Sequence, residues 1–225
     1  MKFIFKYASR SRPEQFKENI SKWLGQLSRA HTYQFLCSFD NDDRSMNNDA
    51  IKNFCSQLNF VKYYFGDNKN KIEAINADME KADPWDYLVV VSDDMRPEVH
   101  SFDCIIDQEF QKHSGKIALN FDDGEEKRQK TLCTLSIMNR ELYDYFGYIY
   151  NPIYKSFFCD REYSDICHKN GWMYDIPQVI VRHLLDQWIK EGQDPLYAVN
   201  AKYWQQDLVT FSHRNLDNFP KVFRS

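Results

Sequence analysis

The sequence predicts an α/β protein with a mixed, mainly parallel central sheet flanked by helices. Three observations carry this. Strand-like and helix-like segments alternate four times before residue 92, which is the pattern of βαβ units. The run 86–91 (Asp-Tyr-Leu-Val-Val-Val) is the most apolar in the chain, as expected of a strand buried on both faces. At 225 residues and 43% hydrophobic content, the chain is long enough to bury about 70% of its unfolded surface, so it can sustain its own core.

Each element has its own signal. Residues 2–7 alternate polar and apolar and are rich in β-formers, so they read as a strand. Pro13 suits a first helical position, and Phe16, Ile20, Trp23, Leu24 and Leu27 recur at helical spacing. A second strand is expected at 33–39, a helix at 48–58, a strand at 61–65 and one helix over 71–81. Beyond residue 92 the pattern is mixed, with strands expected at 117–121, 131–137 and 179–183 and helices at 140–146 and 160–170. No repeat or low-complexity linker divides the chain. The reading is a single domain over residues 1–225, regular over 1–97 and more variable over 98–225.

Composition excludes several classes. With 16% aromatic and 28% charged residues the chain is not of disordered type. Only seven glycines are present, and neither G-x-G-x-x-G nor G-x-x-x-x-G-K-[ST] occurs, so the dinucleotide and P-loop signatures are missing. The net charge of −4 opposes broad attraction to nucleic acid. No apolar run reaches the ~18 residues of a membrane span. Six cysteines without a C-x-x-C pair read as free, mostly buried thiols of a reducing compartment, and the cytoplasm is the expected location. Cys159, Cys167 and His168 lack a fourth ligand at zinc spacing, so no zinc site is expected there.

In open parallel sheets, ligands bind beyond the carboxyl ends of the strands, at a switch in strand order. The loops after three strands are Ser9-Arg10-Ser11-Arg12, Asp40-Asn41-Asp42-Asp43 and Ser92-Asp93-Asp94, and all three should open onto one crevice. Arginines beside carboxylates suit a ligand with a base and phosphates. Asp93 and Asp94 suit a hard divalent cation that grips phosphate oxygens, although Asp-Asp is also an ordinary way to end a strand.

Several segments, in order, resemble the GT-A-type, family-2-like nucleotide-sugar glycosyltransferases. Residues 65–77, with Asn68, Asn70, Lys71, Ala74 and Asn76, resemble the N-x-G-K-x-x-A-x-N-x-G segment that precedes that family's D-x-D strand. Ser92-Asp93-Asp94 stands where the D-x-D is expected. Gly147-Tyr148-Ile149 and Asp160-Arg161-Glu162 resemble its acceptor-side region, with Asp160 eleven residues before Gly171-Trp172. Residues 179–183 resemble the strand whose histidine completes the metal site. The resemblance runs from Phe3 to about Phe219. Two positions depart from the pattern, Ser92 for the first D-x-D aspartate and Asn70 for the glycine, where Asn tolerates a left-handed turn.

The resemblance implies a Rossmann-like GT-A fold and a metal-dependent, inverting transfer from a nucleotide diphosphate sugar, with a UDP-sugar such as UDP-glucose favoured. It implies a nucleotide-sugar-binding half (1–97), in which Ala8, Ser9, Arg10, Asp40, Asn68, Lys71, Ser92 and Asp93 surround the donor, and an acceptor-binding half (98–225). Asp94 and His183 would ligate Mn2+ or Mg2+, Asp160 would be the general base, and Glu162 its neighbour or substitute. Other readings stand beside these. Asp160 fits the N-cap of its own helix, His213 competes with His183, and Asp40 and Lys71 fit solvated surface charges. Tyr143, Tyr145, Phe146, Tyr148 and Tyr150 either stack on an acceptor or fill the core.

The wording of the chain also resembles compact glycosyltransferase-like proteins of phages and environmental sequences, which would place it in a host cytoplasm. The expected acceptor is a saccharide or glycan precursor. A second possibility is a 5-hydroxymethylpyrimidine in phage DNA, held by Lys127, Arg128, Lys130 and a tail with Arg214, Lys221 and Arg224. A third is a binding module without turnover.

Overall fold

The structure, a computed structural model, describes residues 1–125, 130–184 and 195–220. Its strands are β1 (Lys2–Ala8), β2 (Thr32–Asp40), β3 (Val61–Gly66), β4 (Tyr87–Val91), β5 (Met95–Pro97), β6 (Ala118–Asp122), β7 (Ile137–Asn139), β8 (Met173–Val179) and β9 (Val181–His183). Seven of them form one sheet in the order β3-β2-β1-β4-β7-β6-β8, and β5 and β9 form a separate ribbon. The β1–β2, β2–β3, β1–β4 and β6–β8 pairs are parallel, while β7 is antiparallel to both β4 and β6. Six strands therefore share one direction. The order turns back at β1, because β2 and β3 extend to one side and β4 to the other. The crevice of such a sheet lies at the carboxyl ends of β1 and β4.

Helices cover both faces. Along β1 the side chains alternate, as strand geometry requires. Phe3, Phe5 and Tyr7 pack with α1 (Pro13–Gln26), α2 (Asp49–Ser56) and α4 (Phe102–Phe110), through Phe16, Ile20, Trp23, Ile51 and Phe102. Ile4, with Leu36, Leu88 and Val90, packs on the opposite face against α3 (Lys71–Asn76), α5 (Arg140–Phe146) and α6 (Cys159–Lys169). After β9 come α7 (Pro195–Asn200) and α8 (Trp204–Leu216). The six cysteines are free, and all but the half-buried Cys104 are buried. No helix among the described residues is long and apolar enough to cross a membrane.

The first four strands and β6 fall within two residues of expectation, and the both-face burial of β4 holds. The differences have physical causes. The expected helix over 71–81 ends at Asn76, where Ala77 is extended and Asp78 is left-handed, and a short 3-10 turn follows at Met79–Lys81. Asp78 is held there by Ser38 and Lys81, which both donate to its carboxylate. The expected strand at 131–137 starts only at Ile137, because side chains satisfy part of the preceding stretch: Ser164 Oγ accepts the Cys133 N–H and Thr134 donates to Asp123. Asn70 is not left-handed. It is extended and caps α3, accepting the N–H groups of Ile72 and Glu73. Unforeseen elements are β5, α4, α7, α8 and most of β8. The last contains Pro177, which a strand tolerates at a sheet edge.

Candidate functional site

The residues that follow the parallel strands converge. Asp93, just past β4, is buried with both oxygens engaged: Tyr7 Oη donates at 2.7 Å, Ser9 Oγ at 3.0 Å and Arg12 Nη1 at 3.4 Å. Asn19 of α1 donates to Tyr7 Oη at 3.1 Å and to the Ser92 carbonyl at 2.8 Å. Burial pushes the Asp93 carboxyl up to about 6, against the opposing pull of Arg12, Tyr7 and Ser9. Asp93 is thus a brace between the ends of β1 and β4.

Asp94 points elsewhere. Its Oδ1 accepts from Ser92 Oγ, and its Oδ2 lies 3.2 Å from His183 Nε2. Burial alone would raise this carboxyl, but His183, Ser92 and the Lys71 ammonium outweigh it and hold the group well below the usual carboxylate range. The backbone fixes the meeting. The β5–β9 ribbon pairs Met95 with His183, the Leu184 N–H donates to the Asp94 carbonyl at 2.7 Å, and the His183 N–H donates to the Asp123 carbonyl at 3.0 Å. His213, the competing ligand, lies exposed on α8. An ionised carboxylate and an imidazole nitrogen 3.2 Å apart are close enough for one divalent ion to take the place of the hydrogen between them. The pair therefore fits a bound Mn2+ or Mg2+.

Beside this pair is a second cluster. Asp40, at the end of β2, accepts from Arg10 Nη1 at 2.7 Å and from Asn68 Nδ2 at 2.9 Å, and Arg10 also grips Asp42 at 2.6 Å. Asp40 is therefore not a solvated loop acid but a buried member of a three-residue arrangement at the ends of β1, β2 and β3. Ala8 closes β1 opposite Ser38.

The same edge of the sheet receives the starts of α3 and α6. Each of these helices packs on the sheet and leads into a strand of the common direction, so each begins at the strands' carboxyl ends. Lys71 is the exposed first residue of α3. Its charge acts on Asp94 and also on Cys159 at the start of α6. Asp160 is half-buried in the first turn of α6. The helix cap is Phe158 rather than Asp160, whose carboxylate accepts the Arg161 N–H at 2.9 Å.

The fold is similar to that of solved glycosyltransferases. The mannosyltransferase PcManGT from Pyrobaculum calidifontis, in complex with GDP-Man and Mn2+, matches with a TM-score of 0.64 and 10% identity over 81% of this chain and 56% of that one. TarS from S. aureus matches with a TM-score of 0.64 and 12% identity over 81% of this chain and 36% of that one. A 1–349 form of TarS in complex with UDP gives 0.61, 10%, 81% and 60%. This chain has the GT-A fold. At such identities the likeness concerns the fold, and the chain spans less than two thirds of each of these proteins. No family model matches the sequence, and no curated protein matches it.

Other expected site residues turn out differently. Glu162 is buried on α6 and holds Arg214 in a two-pronged ion pair at 2.6 and 2.8 Å, while Asn151 and Tyr154 donate to the same carboxylate at 2.7 Å each. Four donor atoms thus converge on this one carboxylate. Arg214 is correspondingly withdrawn from any phosphate contact. Lys130 pairs with Asp122 at 2.7 Å, and Lys127, Arg128, Lys221 and Arg224 lie outside the described residues. Phe146, Tyr148, Tyr150 and Tyr154 are core, with Tyr143 partly buried against them; Tyr145 alone of the stripe is exposed.

Among the described residues, His31, Asp103 and Cys104 also bring metal-type donor atoms within 4.8 Å of one another. They lie at the start of β2 and in the first turn of α4, at the opposite end of the strands from Asp94. Asp103 there already accepts from the Ser28 N–H, Ser28 Oγ and Tyr33 Oη.

Proposed function

We propose that the chain is a metal-dependent glycosyltransferase that moves a sugar from a nucleotide diphosphate donor, a UDP-sugar such as UDP-glucose first among candidates, to a hydroxyl of a saccharide or glycan precursor. The observation that carries this reading is the meeting of Asp94 and His183, 89 residues apart, beside Lys71 at the switch in strand order. Asp94 and His183 would hold Mn2+ or Mg2+, which when bound would stabilise the charge of the leaving diphosphate. Asp40 with Asn68 and Arg10 would face the base, Ala8 and Ser9 would line the nucleotide, and Ser92 would orient Asp94 rather than ligate. Lys71 would approach the diphosphate. Asp160 would accept the acceptor hydroxyl's proton. With Asp160 opposite the leaving group, attack is in line and the anomeric configuration inverts.

The test is release of nucleotide from UDP- and GDP-sugars with Mn2+, with Mg2+ and with chelator, first alone and then with saccharide acceptors. Metal-dependent release with an inverted product is the expected result. Asp160→Asn should keep donor binding and lower turnover by roughly a hundredfold or more. Tight donor binding with no release under any condition would replace the enzyme with a binding module. A glycosylated nucleoside after incubation with hydroxymethylpyrimidine DNA would replace the saccharide as acceptor.

A further inference from the structure

Apart from the strand-end cluster, the buried polar groups with the most concerted target lie on α8. Asp207 is fully buried, and its carboxylate accepts three successive backbone N–H groups, those of Lys155 at 3.1 Å, Ser156 at 2.8 Å and Phe157 at 2.8 Å. Two helical turns on, Arg214 grips Glu162 of α6 and also donates to the Pro220 carbonyl at 2.9 Å. Trp204, Asp207, Phe211 and Arg214 follow a 3-4-3 spacing, which lines them along one stripe of the helix.

The loop that Asp207 holds has two other attachments. The Lys155 carbonyl accepts the Ile72 N–H at 3.4 Å, and Lys155 Nζ lies 3.8 Å from Glu73 Oε1. This side of the loop is tied to the first turn of α3, next to Lys71. Its other side enters α6 through Phe158, which is left-handed at φ 62°. A non-glycine residue keeps that conformation only where its surroundings hold it. Here the Phe158 ring packs on Trp204 at 4.9 Å and Phe211 at 5.6 Å, both from α8. Asp160 follows two residues later.

The geometry points to α8 as a positioning element, with Asp207 setting Asp160 relative to Lys71 by fixing the loop between them. This rests on the reading of Asp160 as the base. Asp207 touches neither reacting group. It acts through backbone amides, so its loss should slow the transfer step and leave donor binding in place.

The experiment compares Asp207→Ala and Asp207→Asn with wild type in steady-state transfer, in UDP–Mn2+ binding by calorimetry and in amide exchange over residues 155–157. Asp207→Ala is expected to lower kcat at least tenfold, with the donor KM and UDP affinity within twofold and faster exchange at the three amides. Asp207→Asn keeps one acceptor oxygen and should recover part of kcat. It also carries the test if the alanine variant fails to fold. Unchanged kcat in the folded variants, or a loss of donor affinity in step with kcat, would overturn the proposal. A wild-type protein that neither binds nor turns over a donor would instead overturn the site reading itself.

Discussion

The two sides of the crevice are built differently. On the proposed donor side, polar residues are held by neighbours that strand order supplies: Ser9 and Tyr7 at the end of β1 meet Asp93 past β4, and Arg10 meets Asp40 at the end of β2. On the proposed acceptor side, the loop before Asp160 is held by a helix about 50 residues further along the chain, through Asp207, and α6 itself through the Arg214–Glu162 pair. A site carried on parallel strands inherits the rigidity of the sheet. A site carried on a loop and a helix start depends on tertiary contacts, which a single side chain can remove. Loss of a side chain from the first should show most in binding, and loss from the second most in stability.

The largest expected effect tests the proposed acceptor side. Arg214→Met would leave the buried Glu162 carboxylate without its cation, which typically costs about 3–5 kcal/mol. Urea denaturation should show that loss. A change below about 1 kcal/mol would mean that α8 is not anchored by this pair.

On the proposed donor side, Asp94→Ala should act first on binding. Removing even an outer partner of a metal site typically costs 10–100-fold in affinity, so loss of a direct ligand should weaken metal-dependent UDP binding by at least about a hundredfold. Because the fold holds this carboxyl well below its ordinary range, its loss should also lower the melting temperature measured without metal. Unchanged affinity in titration calorimetry would remove Asp94 from the site.

This contrast also explains what could be read in advance. The strands β1 to β4 are legible because alternation and apolar runs are local signals, and their loops reach one crevice by topology alone. The Asp94–His183 meeting became an expectation through resemblance to the glycosyltransferases, since no spacing joins residues 89 apart. Glu162 sits in the acidic first turn of α6 and resembles a reactive carboxylate, yet it is paired with Arg214 on a helix that no local signal joins to it. The stripe of Trp204, Asp207, Phe211 and Arg214 is visible as a helical period. What Asp207 would hold is not, because its partners are backbone amides that no residue type announces.

The smallest effect sharpens the comparison inside the proposed donor half, where one residue breaks the pattern of strands as passive carriers. Lys6 lies in the middle of β1, is fully buried and donates to Ser38 Oγ. Ser38 in turn donates to Asp78 at 2.6 Å. Burial pushes the Lys6 ammonium down from 10.5 to about 8, and the Asp78 charge only partly opposes this. Each pKa unit is worth about 1.4 kcal/mol, so ionised Lys6 carries a penalty of roughly 3 kcal/mol, of which hydrogen bonding recovers a part. Lys6→Met keeps the chain's volume and leaves Ser38 paired with Asp78. It is expected to stabilise the fold at pH 7 by about 1–2 kcal/mol. The sign of the pH dependence follows from linkage. Between about 8 and 10.5 the unfolded chain binds more protons at Lys6 than the folded chain, so this residue makes wild-type stability rise with pH across that window. The penalty is fully present below 8. The stability difference between Lys6→Met and wild type should therefore shrink as pH increases from 7.5 to 10. Denaturant titrations of both proteins across that range measure it. A constant difference would show that Lys6 has the same proton affinity in the folded and unfolded chains, its charge being fully compensated by Asp78.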